Sequence, residues 1–582
     1  MRRRRLAALA AALTLTASAP LAATTAAPSA QAESNGLAAA PLMGWSSWSF
    51  IRSSPTAAKI EAQADAMKSS GLSTHGFSYI NLDDFWMACN SNGPEVDANG
   101  RWIADPAKFP GGIAAVASHV HADGLKFGIY VTPGIPQNAV LANSPILGTS
   151  NTAGQIAETS VAETNYNCQH MDGINYSAPG AQAYINSWAD EFASWGVDYL
   201  KIDGVGAGDI PDIQAWSTAL QQSGRPIALE LSNSLAIADA TTWSSLANGW
   251  RTTGDIECYG CESGGSSYPL TDWANVSSRF AATASWQPYG GAGGWNDYDS
   301  LEVGNGSNDG LSTAERQTMM SLWSLASAPL ILGTDLTHLD STDLAMLENN
   351  AVIAVDQDAI PADRVISSGS EQVFAKRQVN GTWDIGVFNT DASASHSFSV
   401  PLAQLGISGS VNATNLWTGG SLGTVSGSYT ATVPAGGVSL ISATPASGTG
   451  GTGELVSAQS GKCLDTRGAV VFFPGTMEEI WTCNGGIGQE FSPTSAGELR
   501  TMGATECLDV FNNQTAPGTK VELWPCNGQA NQKWTVESNG TIVGQQSGLC
   551  LDVSGAATAN GTQLDIWTCN GQANQQWSWA LH

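Results

Sequence analysis

From Pro41 to about Pro361, short apolar runs alternate eight times with amphipathic stretches, and no other feature of the chain limits its fold as strongly. The runs read as strands at Pro41–Trp45, Tyr79–Asn81, Lys126–Thr132, Tyr199–Asp203, Ile227–Glu230, Gly249–Arg251, a short one before Gly290, and Leu330–Leu332. Ala57–Ser70, Ile113–Asp123, Ala181–Trp195 and Ala314–Ala326 carry helical periodicity between them. Eight strand–helix units over about 320 residues predict a (β/α)8 TIM barrel rather than an open doubly wound sheet. No Gly-x-Gly-x-x-Gly follows the first strand, so a dinucleotide fold has no support.

Barrels of this kind present their chemistry at the C-terminal ends of the strands. In the fourth strand alternate side chains share a face, so Lys201 and Asp203 point the same way just before Gly204. A cation beside Asp203 would keep it ionised, which makes it a nucleophile candidate. The other strand ends offer Trp48, Asp83 with Asp84, Tyr130, Glu230, Arg251 with Asp255, and Gly294-Trp295-Asn296-Asp297-Tyr298-Asp299 after the seventh strand. Carboxylates, cations and aromatics at seven successive strand ends are more than loop capping requires. Asp203 and Asp255 form a candidate catalytic pair. A separation of about 5–5.5 Å would imply retention and a wider one inversion, and the residues alone leave that open.

The remaining chain, in a protein of 582 residues, divides by pattern. Residues 33–362 form the predicted barrel, and 363–445 change to short alternating strands at Glu371–Arg377, Thr382–Asn389, His396–Pro401, Val411–Leu416, Tyr429–Val433 and Gly437–Ser442, which predict an antiparallel β-sandwich. A Gly/Thr-rich linker occupies 446–453. In 454–582 the triplets Cys463-Leu464-Asp465, Cys507-Leu508-Asp509 and Cys550-Leu551-Asp552 recur at intervals of 44 and 43 residues, which predicts three stacked equivalent units. Near-equal intervals to the next cysteine predict one disulfide per unit: Cys463–Cys483, Cys507–Cys526 and Cys550–Cys569.

Met1-Arg2-Arg3-Arg4-Arg5, an Ala/Leu-rich run and Ala30-Gln31-Ala32 read as a signal peptide over 1–32, with maturation near Glu33. Ten cysteines in an exported chain should be mostly paired. For the four outside the repeats we expect a small Cys258–Cys261 ring and a Cys89–Cys168 bridge, against a redox or zinc use of Cys258-x-x-Cys261. The net charge of −28 argues against nucleic acid. No later segment is long enough to span a bilayer, and no ligand-like cluster predicts a metal or other cofactor. Neutral polar groups and 21 tryptophans suit a carbohydrate partner instead.

Several of these stretches carry a family resemblance. Met43-Gly44-Trp45-Ser46-Ser47-Trp48, Asp83-Asp84-Phe85-Trp86, Ala104-Asp105-Pro106-Ala107-Lys108-Phe109-Pro110, Gly128-Ile129-Tyr130, Lys201-Ile202-Asp203-Gly204, Arg251-x-x-x-Asp255 and Gly293-Gly294-Trp295-Asn296-Asp297-x-Asp299 resemble, in order, the melibiase-type α-galactosidases of glycoside hydrolase family 27. The resemblance implies a retaining exo-α-galactosidase with Asp203 as nucleophile and Asp255 as acid/base. It also implies galactose contacts from Trp48, Asp83, Asp84, Tyr130, Lys201, Glu230, Arg251 and Asp299. A β-L-arabinopyranosidase is the alternative within the family. The short Asp83 favours galactose because it leaves room for C6, and Glu230 would crowd a 2-acetamido group. A catalytically dead sugar-binding protein is the alternative outside the enzyme class.

The chain departs from the family pattern in three places. Val205 and Leu229 stand where many members carry a cysteine pair, a long insertion follows Val131-Thr132-Pro133-Gly134-Ile135-Pro136 and runs to about Pro179, and Glu230-Leu231-Ser232-Asn233 lacks the usual tryptophan. The C-terminal repeats resemble ricin-B-type β-trefoils, carbohydrate-binding module family 13. That resemblance implies sugar contacts from Asp509, Trp524, Asn527 and Gln532, and from Asp552, Trp567, Asn570 and Gln575. The first copy offers Asp465, Trp481, Asn484 and Gln489, but has Phe491 for tryptophan and Glu478 where the others have Val521 and Leu564. Expected partners are galactosides and galactose- or arabinose-containing polysaccharides.

Overall fold

The computed structural model describes residues 35–262, 267–378, 382–407, 409–445, 453–466, 474–494, 496–501, 505–537 and 539–581. The signal peptide read at 1–32, and all but the last residue of the 446–453 linker, lie outside the described residues.

Eight parallel strands, β1 (Met43–Ser46), β2 (Tyr79–Leu82), β3 (Lys126–Val131), β4 (Tyr199–Ile202), β5 (Ala228–Leu231), β6 (Gly249–Arg251), β7 (Trp295–Asp297) and β8 (Leu330–Leu332), pair in the order β7-β6-β5-β4-β3-β2-β1-β8. Nearly every strand residue is buried, as a parallel sheet covered by helices requires. The helices between the strands are α1 (Ala57–Ser69), α2 (Ile113–Ala122), α3 (Ala181–Trp195), α4 (Ile210–Gln222), α5 (Ala240–Leu246), α6 (Trp273–Trp286) and α7 (Thr313–Ala326), with short ones at Trp48–Ile51, Gln137–Ala142 and Ala153–Ile156 and two after β8. Thr56 caps α1 through Lys59 N, and Ser312 with Glu315 forms a capping box on α7. The sheet is latched rather than laddered between β7 and β8: Leu301 N donates to Ile331 O at 2.8 Å, and Gly333 N to Leu301 O at 3.2 Å.

The seventh strand lies elsewhere than expected. The apolar stretch before Gly290 is the end of α6, started by the Asp272 cap on Asn275 N, and the strand is Trp295–Asp297 itself. A buried Trp-Asn-Asp strand has no apolar run to betray it. Its polar cost is met because Asn296 accepts from Trp250 Nε1 and donates to Trp286 O.

The sandwich holds eight strands, β9 (Asp363–Ser368), β10 (Glu371–Arg377), β11 (Trp383–Asn389), β12 (His396–Pro401), β13 (Ser410–Asn415), β14 (Ser421–Ser426), β15 (Ser428–Val433) and β16 (Val438–Pro445), in a six-stranded sheet β9-β10-β11-β16-β13-β14 and a pair β12-β15. Two of them, β9 and β14, exceed the six expected. They are largely exposed and carry little alternation. The sandwich packs on α7: Phe374, Phe388 and Leu440 belong to the barrel's apolar core, and a Cβ at Gly386 would meet Leu325 Cδ1 at 2.4 Å.

The C-terminal repeats fold into a twelve-stranded all-β unit around a core that includes Leu464, Leu508, Leu551, Trp534 and Trp577. All ten cysteines are bonded, as Cys89–Cys168, Cys258–Cys261, Cys463–Cys483, Cys507–Cys526 and Cys550–Cys569. No helix of the described residues is long and apolar enough to cross a membrane.

Candidate active site

The C-terminal ends of the strands converge on a cavity of about 350 Å³ lined by Trp48, Asp83, Asp84, Phe85, Tyr130, Tyr166, Lys201, Asp203, Asn233, Arg251, Asp255 and Tyr259. Eight of the ten expected catalytic and sugar-contact residues are in that set. Glu230 and Asp299 instead line a smaller hollow deeper in the barrel, which Trp48, Asp83, Lys201 and Arg251 share. Glu230 is seated there because β6 carries glycine opposite it: a Cβ at Gly249 would lie 1.8 Å from Glu230 Oε2. Burial pushes the Glu230 carboxyl well above its usual range.

The lysine at the end of β4 does not pair with Asp203. Its ammonium bonds Asp83 Oδ2 at 2.8 Å, two strands across the sheet. Burial opposes its charge, but Asp83 first and Asp203 next raise its pKa, so it stays cationic. Asp203 sits just past β4, its N–H donating to Val131 O at 2.9 Å and its Oδ1 accepting from Gly204 N at 2.8 Å. That turn needs the positive φ of 76° that glycine takes without strain.

Asp255 stands on the loop after β6. Arg251 Nη2 donates to its Oδ1 at 2.6 Å and the Tyr259 hydroxyl to its Oδ2 at 2.8 Å. Burial would raise this carboxyl, but Arg251 and Tyr259 outweigh it and hold it below the usual carboxylate range. Arg251 is itself held by Asp299 at 3.4 Å and by Thr253 O. Asp299 Oδ2 also accepts from Ile256 N at 2.7 Å, so it anchors both ends of the Asp255 loop.

Four buried polar atoms around these residues have no hydrogen-bond partner: Asp84 Oδ2, Tyr130 Oη, Glu230 Oε1 and Asn81 Oδ1. Burial pushes Asp84 up to about 7, against the lowering effect of its bond from Phe85 N. Unsatisfied acceptors and hydroxyls are expensive in a fold and are expected where a polyhydroxylated ligand supplies the partners.

Sequence reasoning missed four wall residues. Phe85 takes a φ of 69°, held by Asp84 Oδ1 on its N–H and by Lys108 Nζ on its carbonyl, and stacks against Trp48 at 6.2 Å. Asn233 has a φ of 130°. Tyr166 comes from the insertion, which folds into short helices and the strands Ile135–Pro136, Ala157–Glu163 and Met171–Ile174 and is tied to the β2 loop by Cys89–Cys168. Tyr259 rides on the Cys258–Cys261 ring, and that cysteine spacing was the one signal that could have flagged it.

In the trefoil, Trp524 and Trp567 are 41 % and 46 % exposed. A hollow of about 420 Å³ in the third repeat is lined by Asp552, Asp565, Trp567, Asn570 and Asn574 among others. The glutamines expected as sugar contacts are placed otherwise. Gln532 is fully buried, donating to Asp509 Oδ2 at 2.9 Å and accepting from Asn527 N at 2.9 Å; Gln575 does the same for Asp552 and Asn570 N. They brace the aspartates rather than face solvent. Asn531 and Asn574 add a second bond to each aspartate, whereas the first repeat has Gly488 at that place, leaving Asp465 with Gln489 alone of this pair.

Two carboxylates opening onto one aromatic-walled cavity at the mouth of a (β/α)8 barrel, with a lectin-like trefoil behind, define a carbohydrate-active class of protein. Residues 41–177 and 169–358 match the family described as alpha galactosidase A, 368–443 its C-terminal β-sandwich domain, and 451–577 the ricin-type β-trefoil lectin domain. An α-galactosidase of Coffea arabica is 36 % identical over 412 residues, covering 69 % of this chain and 93 % of that protein. Among solved structures, a family 27 β-L-arabinopyranosidase from Geobacillus stearothermophilus superposes with a TM-score of 0.64 at 30 % identity, covering 71 % of this chain and 98 % of that one. Alpha-galactosidase I from Mortierella vinacea gives 0.56 at 27 % identity, covering 71 % and 99 %. The chain belongs to the melibiase-type α-galactosidase family, glycoside hydrolase family 27, and carries a C-terminal ricin-type β-trefoil.

Proposed function

We propose that the chain is a secreted retaining exo-glycosidase that removes terminal α-D-galactosyl residues. The observation that carries this reading is the set of unpartnered buried polar atoms in two adjoining hollows: Asp84 Oδ2 and Tyr130 Oη line the cavity with Asp203 and Asp255, and Asn81 Oδ1 and Glu230 Oε1 belong to residues lining the hollow that shares Trp48, Asp83, Lys201 and Arg251 with it. The Asp203 carboxylate attacks the anomeric carbon while the leaving oxygen takes a proton from the protonated form of Asp255, a form favoured once the leaving oxygen displaces the Tyr259 hydroxyl from Oδ2. Asp255 then takes a proton from water, whose oxygen attacks C1 and releases Asp203. Lys201 and Arg251 keep the site cationic enough to hold several carboxylates together.

The similarity to a β-L-arabinopyranosidase supports a second substrate, which differs from galactose by a missing hydroxymethyl group. Asp83 weighs for galactose, because its short side chain is drawn back onto Lys201 and Ser46, at 2.8 and 3.4 Å. Export is supported by the arginine-led N-terminal sequence and the five disulfides. We assign the trefoil to polysaccharide binding through Trp524, Asp509 and Asn527 and through Trp567, Asp552 and Asn570. The deciding experiment compares kcat/KM on aryl α-D-galactopyranoside and aryl β-L-arabinopyranoside and follows the first-formed product by NMR. Faster galactoside turnover releasing α-galactose is expected. A preference for the arabinoside, or β-galactose as first product, overturns the assignment.

A further inference from the structure

Tyr259 occupies the middle of the four-residue ring closed by Cys258 and Cys261, with its side chain 54 % exposed above the cavity. Its hydroxyl donates to Asp255 Oδ2 at 2.8 Å and accepts from Trp48 Nε1 at 3.0 Å. The Arg52 guanidinium lies over its ring, 5.4 Å from the centroid. Asp255 Oδ1 is already taken by Arg251, which the Thr253 carbonyl and Asp299 fix in place. A leaving-group oxygen can therefore reach Asp255 only at Oδ2, where the phenol sits.

We infer that Tyr259 is a positioning residue for Asp255: its phenol holds Oδ2 in the carboxylate form that activates water, and yields that place to the leaving oxygen when Asp255 acts as an acid. In the acid step the carboxyl proton moves from Oδ2 to the glycosidic oxygen as the C1–O bond breaks. In the base step water gives its proton to Oδ2 as its oxygen bonds C1 and Asp203 leaves. The phenol keeps its own proton throughout. The inference rests on reading Asp255 as the acid/base.

Other groups also bear on Asp255. Lys201 from β4 and Arg279 from α6 favour its charged form, that charge in turn raises the pKa of Glu257 and Tyr166, and Asp299 adds a further carboxylate nearby. Burial pushes Glu257 up to about 8, so its own titration adds a second limb above that of Asp255. The test must isolate the limb that depends on the leaving group.

The experiment measures kcat/KM against pH for wild type and Tyr259→Phe on phenyl and 2,4-dinitrophenyl α-D-galactosides. Phenolate departure needs a proton and dinitrophenolate departure does not. Removing a donor to the ionised form raises the Asp255 pKa. The limb that reports loss of the Asp255 proton, which Arg251 and Tyr259 hold low, should move up by about 0.5–1 unit for the phenyl substrate, the size of one solvent-screened hydrogen bond to a carboxylate, while the dinitrophenyl profile keeps its shape. An unmoved phenyl limb with lower rates at every pH would make Tyr259 a plain wall residue and overturn the inference. A shift shared by both substrates would assign the limb to a group other than the proton donor and overturn it equally. Wild type inactive on both galactosides would sink the α-galactosidase reading, and the inference with it.

Discussion

Lys201 Nζ and Asp83 Oδ2 meet at 2.8 Å with both side chains largely out of solvent. This pair brings the end of β4 to the loop after β2 and leaves Asp203 to feel the same cation from farther away. Lys201 thus bonds Asp83 directly and acts at longer range on Asp84 and Asp203, the latter shared with Arg251.

Lys201→Met should therefore hurt stability and catalysis together. Breaking a buried pair by removing one partner costs about 3–5 kcal/mol. Thermal unfolding should show a clearly lower Tm, and kcat/KM should fall by about 10²-fold or more at every pH where wild type is active. A variant with wild-type Tm would mean that Asp83 is compensated by something other than Lys201.

Asp203→Asn keeps the volume of the nucleophile and removes its charge. Turnover should drop by about 10⁴-fold or more while circular dichroism and Tm stay close to wild type. External azide should restore product as the β-galactosyl azide. Near-normal turnover in this variant would assign the nucleophile elsewhere.

Asp84 gives a pH signature. Its folded pKa lies near 7, against 3.8 as its ordinary value, because burial penalises the charge. Between those two values the folded state binds more proton than the unfolded one, so this group's contribution is fully present below about pH 4 and is lost as pH rises through 7. Asp84→Asn, which imitates the protonated form, should flatten the decline of Tm between pH 5 and 8. An identical slope in wild type and variant would place that titration on another group.

Trp524→Ala combined with Trp567→Ala should weaken retention on galactose-bearing polysaccharide by about 10²-fold, since the tether acts through effective concentration. The kcat/KM on a soluble aryl galactoside is the control and should hold. Loss on both substrates would mean that the trefoil supports the barrel itself.

Much of this was legible in the residues, for physical reasons that also mark where legibility stopped. Runs such as Lys126–Val131 and Leu330–Leu332 announce buried parallel strands because both faces are covered. Trp295–Asp297 did not, because its asparagine is satisfied by Trp250 and Trp286, distant in sequence, and its aspartate by the N–H of Asp299. The period of two puts Lys201 and Asp203 on one face but says nothing of what β2 offers from across the barrel. The glutamines of the trefoil show the same limit: their recurrence was visible, whereas their full burial against Asp509 and Asp552 depends on the closed repeat. Tyr166 and Tyr259 came from segments with no strand or helix pattern over the site, and their proximity to Asp203 and Asp255 is a product of the disulfides that anchor them.

The Leu301 latch places the seam of the barrel close to the proton carrier. Asp203 follows β4 and Asp255 follows β6, and both strands are laddered to a neighbour on each side. Asp255 is steered through Arg251 and Ile256 N by Asp299, two residues before a joint held by two backbone hydrogen bonds. Closing the barrel and aiming the acid/base therefore fall to one short stretch, so a change at Leu301 reaches the chemistry through Asp299 rather than through the nucleophile.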